Sequence, residues 1–108
     1  MKKISDDITV ANTLEGDFYC SDELFLKVKE KIFESSWQFI CSKEEMNEAN
    51  TVFPFYLLDE FISEPLILVN SDNSIKCFSN VCTHRGNILV EEKTTLNRNI
   101  VCNYHGKS

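Results

Sequence analysis

Near the N-terminus, apolar side chains recur every three or four positions, the spacing that places them on one face of an α-helix (Leu24, Phe25, Val28, Ile32 and Phe33). Ser21 precedes them as a candidate N-cap, and Asp22 and Glu23 lie where negative charge stabilises a helix N-terminus. The pattern predicts a helix from about Asp22 to Ser35, with a packed apolar stripe and a solvated charged face. Residues 1–20 show no steady period, which predicts an irregular arm.

After residue 36 the pattern changes to short apolar runs that are typical of strands. Residues 37–41 read as a short strand and residues 43–50 as a polar loop or helical turn. Residues 51–58 are rich in aromatic side chains and contain Pro54, which has no N–H to donate to a sheet. We therefore expect an edge strand or an interrupted strand there.

Two pairs of antiparallel strands are expected further along the chain. Residues 66–70 and 75–79 flank a run of turn formers, Ser71 to Ser74, and predict a β-hairpin. Residues 88–90 and 100–102 predict a second strand pair around a polar turn. The predicted fold class is therefore mainly β with an N-terminal α-helix, with the arm and helix in residues 1–36 and the β domain in residues 37–108.

Composition and charge narrow the function classes. The chain has 108 residues and a net charge of −6, and an acidic surface is unsuited to binding nucleic acid. Apolar stretches such as Leu66–Val69 are far too short to cross a bilayer, so no membrane association is expected. The basic start, Met1 to Lys3, is followed at once by polar residues and not by the apolar region of an export signal. A cytoplasmic protein is expected.

The cysteine count argues against a disulfide framework. Five cysteines cannot all pair, and in a reducing compartment cysteines that recur with histidine tend to bind metal. Cys20, Cys41 and Cys77 lie outside any ligand-like spacing. We expect these three to be small buried apolar residues.

Two short motifs carry the candidate chemistry, Cys82-Thr83-His84-Arg85-Gly86 and Cys102-Asn103-Tyr104-His105-Gly106. Each offers one thiolate and one imidazole, and the 17 residues from Arg85 to Val101 leave room for a strand, a turn and a returning strand. The two motifs would then lie side by side at the tips of neighbouring loops. The chain has two histidines in total, and both fall in these motifs.

The donor types suit either zinc or a [2Fe–2S] cluster in which two histidines replace two cysteines on one iron. Zinc sites commonly pair cysteine with cysteine and histidine with histidine, whereas each motif here mixes the two, which favours iron–sulfur. Gly86 and Gly106 close the motifs, where glycine lets the backbone adopt positive φ and approach a ligand closely. Backbone N–H groups there can donate to cluster sulfurs.

These motifs resemble the Rieske domain at the start of the α subunit of the ring-hydroxylating (Rieske non-haem iron) oxygenases, and the similarity extends over roughly residues 19–106. It includes residues 31–39, 64–69 and 79–86. The resemblance implies a Rieske-type antiparallel β fold and one [2Fe–2S] cluster per chain. It implies that Cys82 and Cys102 bind one iron and that His84 and His105 bind the other. It also implies that Arg85, Gly86 and Gly106 contribute to cluster binding.

The chain departs from the family pattern at a few positions. Asn103 stands where a proline is common, and Lys107 stands where a tryptophan often follows the glycine. Rieske proteins of cytochrome complexes carry an additional cysteine in each loop, and these two cysteines form a disulfide. Asn87 and Tyr104 hold the matching positions here, so that bridge cannot form.

By the same resemblance, oxygenase chemistry takes place at a mononuclear Fe(II) held by two histidines and one carboxylate. This chain has no histidine beyond the two in its motifs, so we expect it to be the N-terminal fragment of an α subunit, with its β fold incomplete at the C-terminus and marginal folding in isolation. The cluster would take electrons from a ferredoxin or flavin reductase and pass them to the catalytic domain, often that of a neighbouring subunit in a trimer. The alternatives are a stand-alone Rieske ferredoxin and, less favoured, a zinc-binding module.

Overall fold

The computed structural model describes residues 3–72 and 74–108. The chain divides into two compact units, Met1–Phe39 and Ile40–Ser108. In the described part of the chain, no helix is long and apolar enough to cross a membrane.

The helices of the first unit lie between Gly16 and Phe33 and are interrupted at Ser21, whose backbone is extended. The unit contains α1 (Gly16–Cys20), α2 (Asp22–Val28) and a π-helical segment (Lys29–Phe33) that continues α2. The predicted cap is confirmed, because the Ser21 hydroxyl accepts a hydrogen bond from the Leu24 N–H at 3.3 Å. Residues 16–20 were expected to be irregular, and that expectation is wrong.

The expected packing of the helix is also wrong. No residue of α2 is buried, and Phe25 and Ile32 are 55% and 54% exposed. The amphipathic spacing shows which side chains would stabilise the fold if they were buried, but it does not determine whether other residues pack against them. Trp37 and Phe39, which were expected in a strand, are also exposed and lie in an irregular segment.

The second unit contains a four-stranded antiparallel sheet with the order β3-β2-β1-β4. Its strands are β1 (Thr51–Leu57), β2 (Glu64–Ser71), β3 (Ser74–Ser79) and β4 (Thr94–Thr95). A 3₁₀ turn, Lys43–Met46, precedes β1 where a polar loop or helical turn was expected. The predicted class, mainly β with an N-terminal helix, is confirmed.

β1 tolerates its proline because the strand is paired on one side only at that point. Pro54 lies opposite Ile67 of β2, whereas β4 reaches β1 only at Thr51 and Val52. On the side of β1 that faces away from β2, no strand is paired with Pro54, so its missing N–H removes no hydrogen bond there. The expected edge or interrupted strand is therefore wrong for β1 as a whole, which is continuous and lies between β2 and β4, but at Pro54 the strand is paired on one side only.

The β2–β3 hairpin is confirmed, with Leu66 opposite Ser79 and Asn70 opposite Ile75. Asp72 in its turn adopts a left-handed φ of 52°. Asn73, which belongs to the predicted turn, lies outside the described residues.

The second predicted strand pair is wrong. Residues 88–90 and 100–102 do not form strands, and Ile88 makes an isolated bridge with Val81. Asn80 provides the physical reason, because its backbone and side chain bind the amide groups of Leu89 and Val90 that a partner strand would need.

The core of this unit lies on the two central strands. Val52 and Ile67 are 0% and 1% exposed, and Met46 of the 3₁₀ turn is buried with them. Asn70 is buried too, and its side-chain amide donates to the backbone oxygens of Met46 at 2.6 Å and Glu48 at 3.2 Å. The chain leaves β3 at Ser79 and passes through the buried Asn80 into the first cysteine motif.

The expectation that Cys20, Cys41 and Cys77 are buried is wrong. Cys20 and Cys77 are exposed, and Cys41 is half-buried. Cys77 lies on β3, all of whose residues are exposed.

Candidate metal centre

The first motif forms a closed loop from Cys82 to Asn87. The Cys82 N–H donates to the Asn87 oxygen at 2.8 Å, and the Gly86 N–H donates back to the Cys82 oxygen at 2.9 Å. Gly86 has a φ of 70°, in the left-handed region that glycine adopts without steric cost. The residues between therefore project from a tight backbone frame.

The second motif repeats this frame from Cys102 to Lys107. The Cys102 N–H donates to the Lys107 oxygen at 2.8 Å, the Gly106 N–H donates to the Cys102 oxygen at 2.9 Å, and Gly106 also has a φ of 70°. The histidine is the third residue of the first loop and the fourth residue of the second. Two loops with different spacings thus share one hydrogen-bonded geometry.

Asn80 fixes the base of the first loop. Its side chain is 4% exposed, donates to the Val90 oxygen at 2.7 Å and accepts from the Val90 N–H at 2.9 Å. Its backbone N–H donates to Pro65 of β2 at 2.9 Å. The segments that enter and leave the loop are therefore held together, and the entering segment is tied to the sheet.

The two motif cysteines form a buried pair. Cys82 is 6% exposed and Cys102 is 2% exposed. The Tyr104 N–H is the main group that lowers the pKa of the Cys102 thiol from its ordinary value, while burial acts in the opposite direction. Hydrogen bonds from the Cys82 side chain, the His105 N–H and the Asn87 amide lower this pKa further. Such donors stabilise a thiolate, which is the form that binds metal.

The two motif histidines form an exposed pair. Their Nδ1 atoms are 3.1 Å apart, and their ring centroids are 4.8 Å apart. Two nitrogens bound at about 2.1 Å to one tetrahedral metal ion would lie about 3.4 Å apart. The nitrogens of His84 and His105 therefore have nearly the separation of two ligands on a single ion.

The donors thus come as a thiol pair and an imidazole pair. In residues 3–72 and 74–108, no group of three or more Cys, His, Asp or Glu side chains is placed to hold one ion. A two-iron cluster with two thiolates on one iron and two imidazoles on the other requires two separate pairs. The residues present fit that cluster.

The comparison with protein families agrees with this geometry. Residues 36–108 match the family model for the Rieske [2Fe-2S] domain. The chain belongs to this family.

Relatives of this Rieske domain are oxygenase subunits. The carnitine monooxygenase oxygenase subunit of Escherichia coli (strain K12) is 33% identical over 94 residues, which cover 86% of this chain and 24% of that protein. The large oxygenase component of a naphthalene 1,2-dioxygenase system of Pseudomonas aeruginosa is 29% identical, over 92% of this chain and 20% of that protein. The chain thus spans about a quarter or less of the length of these relatives.

A solved structure shows the same fold. The crystal structure of the quaternary ammonium Rieske monooxygenase CntA with an inhibitor aligns with a TM-score of 0.77 at 31% identity. The alignment covers 90% of this chain and 26% of that chain. The predicted Rieske-type fold is therefore confirmed.

The remaining predicted site residues lie on the exposed rim of the Rieske loops. Arg85 is exposed, and together with Asn87 and Tyr104 it lines a small surface hollow. The Tyr104 ring packs edge-on against His105, with centroids 4.2 Å apart. The Lys107 ammonium donates to the Thr83 hydroxyl of the opposite loop at 3.1 Å.

Sequence reasoning missed two asparagines at this site. Asn80 anchors the first loop, and the Asn87 side-chain nitrogen lies 3.9 Å from the Cys102 sulfur. Neither role has a signature in the sequence, because each depends on a group that lies ten or more positions away along the chain.

Proposed function

We propose that this Rieske domain binds one [2Fe–2S] cluster through Cys82 and Cys102 on one iron and His84 and His105 on the other. The observation that carries the proposal is the separation of the four donors into a buried thiol pair and an exposed imidazole pair. When bound, the cluster supplies a one-electron redox couple. The domain would serve as the electron-entry part of an oxygenase α subunit.

The difference in burial between the two donor pairs supports a separate role for each pair. Cys82 and Cys102 are both buried, and donors from the backbone and from Asn87 would compensate the charge of the Cys102 thiolate without exposing its sulfur to water. His84 and His105 are exposed, so a partner protein can approach the imidazole side closely. Electrons would therefore enter and leave through the histidine edge.

The neighbours of the ligands shape the cavity for the cluster. Gly86 and Gly106 carry no side chain, and their left-handed backbones turn each loop back towards its own cysteine. Arg85 follows His84 and places a positive charge on the exposed rim of an otherwise acidic chain. This charge would favour docking of an acidic electron-transfer partner.

The relatives suggest the wider context, since they are oxygenase subunits of which this chain covers a quarter or less. We propose that the electron donor is a ferredoxin or a flavin reductase. The acceptor would be a mononuclear Fe(II) in an oxygenase catalytic domain, that of a neighbouring subunit in a trimer. We place the protein in the cytoplasm, where the thiols stay reduced until the cluster is inserted.

Anaerobic reconstitution with iron and sulfide tests the cluster assignment. We expect about two iron ions and two sulfides per chain and the low-temperature EPR signal of a reduced mixed-ligand [2Fe–2S] centre. One bound zinc ion without sulfide would end the assignment.

Ligand substitution tests the individual residues. His84→Cys and His105→Cys should each lower the reduction potential, because histidine ligation raises it. Asn103→Cys is the matched control, since it adds a thiol to the second loop at a position that is not a proposed ligand. An unchanged potential in either histidine variant would show that the replaced histidine is not a ligand.

A further inference from the structure

The residue five positions after each motif cysteine reaches across to the opposite loop. The Asn87 oxygen accepts the Cys82 N–H of its own loop, while the Asn87 side-chain nitrogen lies 3.9 Å from Cys102 Sγ. The Lys107 oxygen accepts the Cys102 N–H of its own loop, while the Lys107 ammonium donates to Thr83 Oγ1 at 3.1 Å. Each of these residues therefore closes one loop with its backbone and contacts the other with its side chain.

We propose that Asn87 and Lys107 form a reciprocal brace between the two ligand loops, and that Asn87 also tunes the cluster by donating a hydrogen bond to the Cys102 sulfur. The inference rests on the proposed function, because it assigns Cys102 to the cluster. Both are positioning residues, since each acts through a group on the opposite loop.

The brace differs in kind from two further contacts between the loops. The Cys82 thiol forms a hydrogen bond with Cys102, and His84 contacts His105, but these are contacts between proposed ligands, and metal bonds would replace them. The contacts of Asn87 and Lys107 use side chains that are not ligands. They can therefore persist in the loaded protein and resist the separation of the loops that releases iron.

The two halves of the brace should have different consequences. The Asn87 side-chain nitrogen donates to the Ile88 oxygen at 3.0 Å and also lies within hydrogen-bonding distance of the Cys102 sulfur, at 3.9 Å. A donor to sulfur stabilises the reduced cluster, which carries one more negative charge. Lys107 binds a hydroxyl and is exposed, so its charge is screened by water. Loss of Asn87 should thus lower the reduction potential, whereas loss of Lys107 should mainly speed iron release.

The first experiment replaces Asn87 by leucine, which has a similar size and no donor, in the cluster-loaded 108-residue protein. Asn97→Leu is the matched control, because Asn97 is an exposed loop asparagine outside both motifs. An EPR-monitored redox titration should give a lower potential for Asn87→Leu than for wild type and for Asn97→Leu. Equal potentials in all three proteins would overturn the tuning role of Asn87.

Asn87→Ser is a second variant for the case in which leucine disturbs the loop. Serine keeps the backbone carbonyl that closes the loop, but its side chain is too short to reach the Cys102 sulfur. This variant should show the same direction of shift. Failure of both Asn87 variants to retain a cluster, with normal loading of Asn97→Leu, would support the brace, because it would show that the loops need this contact.

The second experiment measures iron loss to a chelator. Lys107→Met removes the ammonium but keeps the length of the side chain, and it should release iron about 3–10 times faster than wild type. Lys107→Arg, which retains a donor, should stay near the wild-type rate. Lys76→Met on the exposed strand β3 is the control. Equal rates for Lys107→Met and Lys76→Met would overturn the role of Lys107.

The outcomes separate this inference from the function on which it rests. A wild-type protein that binds no [2Fe–2S] cluster would defeat the proposed function. A wild-type protein with the cluster, whose Asn87 and Lys107 variants match their controls, would defeat the brace alone.

Discussion

The side chain of Asn80 offers a direct test of how the sheet holds the first ligand loop. It is 4% exposed and makes two hydrogen bonds to the backbone of Val90, at 2.7 and 2.9 Å. The substitution Asn80→Ala removes both bonds. The backbone bonds from Asn80 N–H to Pro65 and from Leu89 N–H to Asn80 do not involve the side chain and should remain.

The magnitude follows from the number of bonds and their burial. Each hydrogen bond contributes about 1 kcal/mol net, and an unsatisfied buried backbone group costs about 1–3 kcal/mol. Val90 is half-buried, so water can partly hydrate the backbone N–H and carbonyl groups of Val90 that lose their partner. We therefore expect Asn80→Ala to lower the free energy of unfolding by about 2–3 kcal/mol.

Urea unfolding of the cluster-loaded protein, followed anaerobically by circular dichroism, measures this loss. With a urea dependence of about 1.5–2 kcal/mol/M, the unfolding midpoint should fall by about 1–2 M. Asn97→Ala is the control at an exposed loop site and should stay within about 0.5 kcal/mol of wild type. A midpoint for Asn80→Ala within about 0.3 M of wild type would refute the anchoring role.

Three further predictions concern packing, backbone and charge. Ile67→Ala should lower the free energy of unfolding by about 2–5 kcal/mol and Ile67→Val by about 0.5–1.5, because the residue is 1% exposed; equal losses in thermal melts would contradict cavity formation. Gly86→Ala should lower the free energy of unfolding by about 1–2 kcal/mol, and the left-handed backbone alone causes this loss because an added Cβ meets nothing within 4 Å. Gly16→Ala in α1 is the control and should leave the free energy of unfolding unchanged or raise it by up to about 1 kcal/mol. Lys27 lowers the pKa of the Glu23 carboxyl, so their contact stabilises the fold at pH values above the ordinary carboxyl pKa, and this stability is lost as the pH falls through the lowered pKa of Glu23. In an NMR titration, Lys27→Met should raise the pKa of Glu23, and an unchanged pKa would refute the contact.

The candidate site was the most predictable part of the molecule because its signal is local. Cysteine, histidine and glycine recur within five residues in each motif, and the two glycines have the left-handed φ that their positions suggested. The same holds for the β2–β3 hairpin and for the cap at Ser21, whose partners lie within a few positions along the chain. The ligand roles themselves remain predictions for the reconstitution experiments.

The incorrect expectations have two causes. Some depend on hydrogen-bond partners that are distant in sequence, and others assumed that apolar side chains would be covered by another part of the protein. The second strand pair does not form because Asn80 binds the amide groups of Val90 and Leu89. In the apolar stripe of α2, Phe25 is exposed and Leu24 and Val28 are only half-buried, although the period is regular. Cys77 is exposed on a strand none of whose residues is covered, which composition does not reveal.

Resemblance to a known family implied the Rieske-type class of the fold, and the sequence by itself determined which donors are available and the glycine turns that present them. These depend on side-chain chemistry and on backbone preferences within a few residues. Only the tertiary structure decided that the donors separate into a buried thiol pair and an exposed imidazole pair, and that Asn80, Asn87 and Lys107 hold the loops. Burial and hydrogen bonding between loops depend on how distant segments pack, and a single stretch of sequence does not encode that packing.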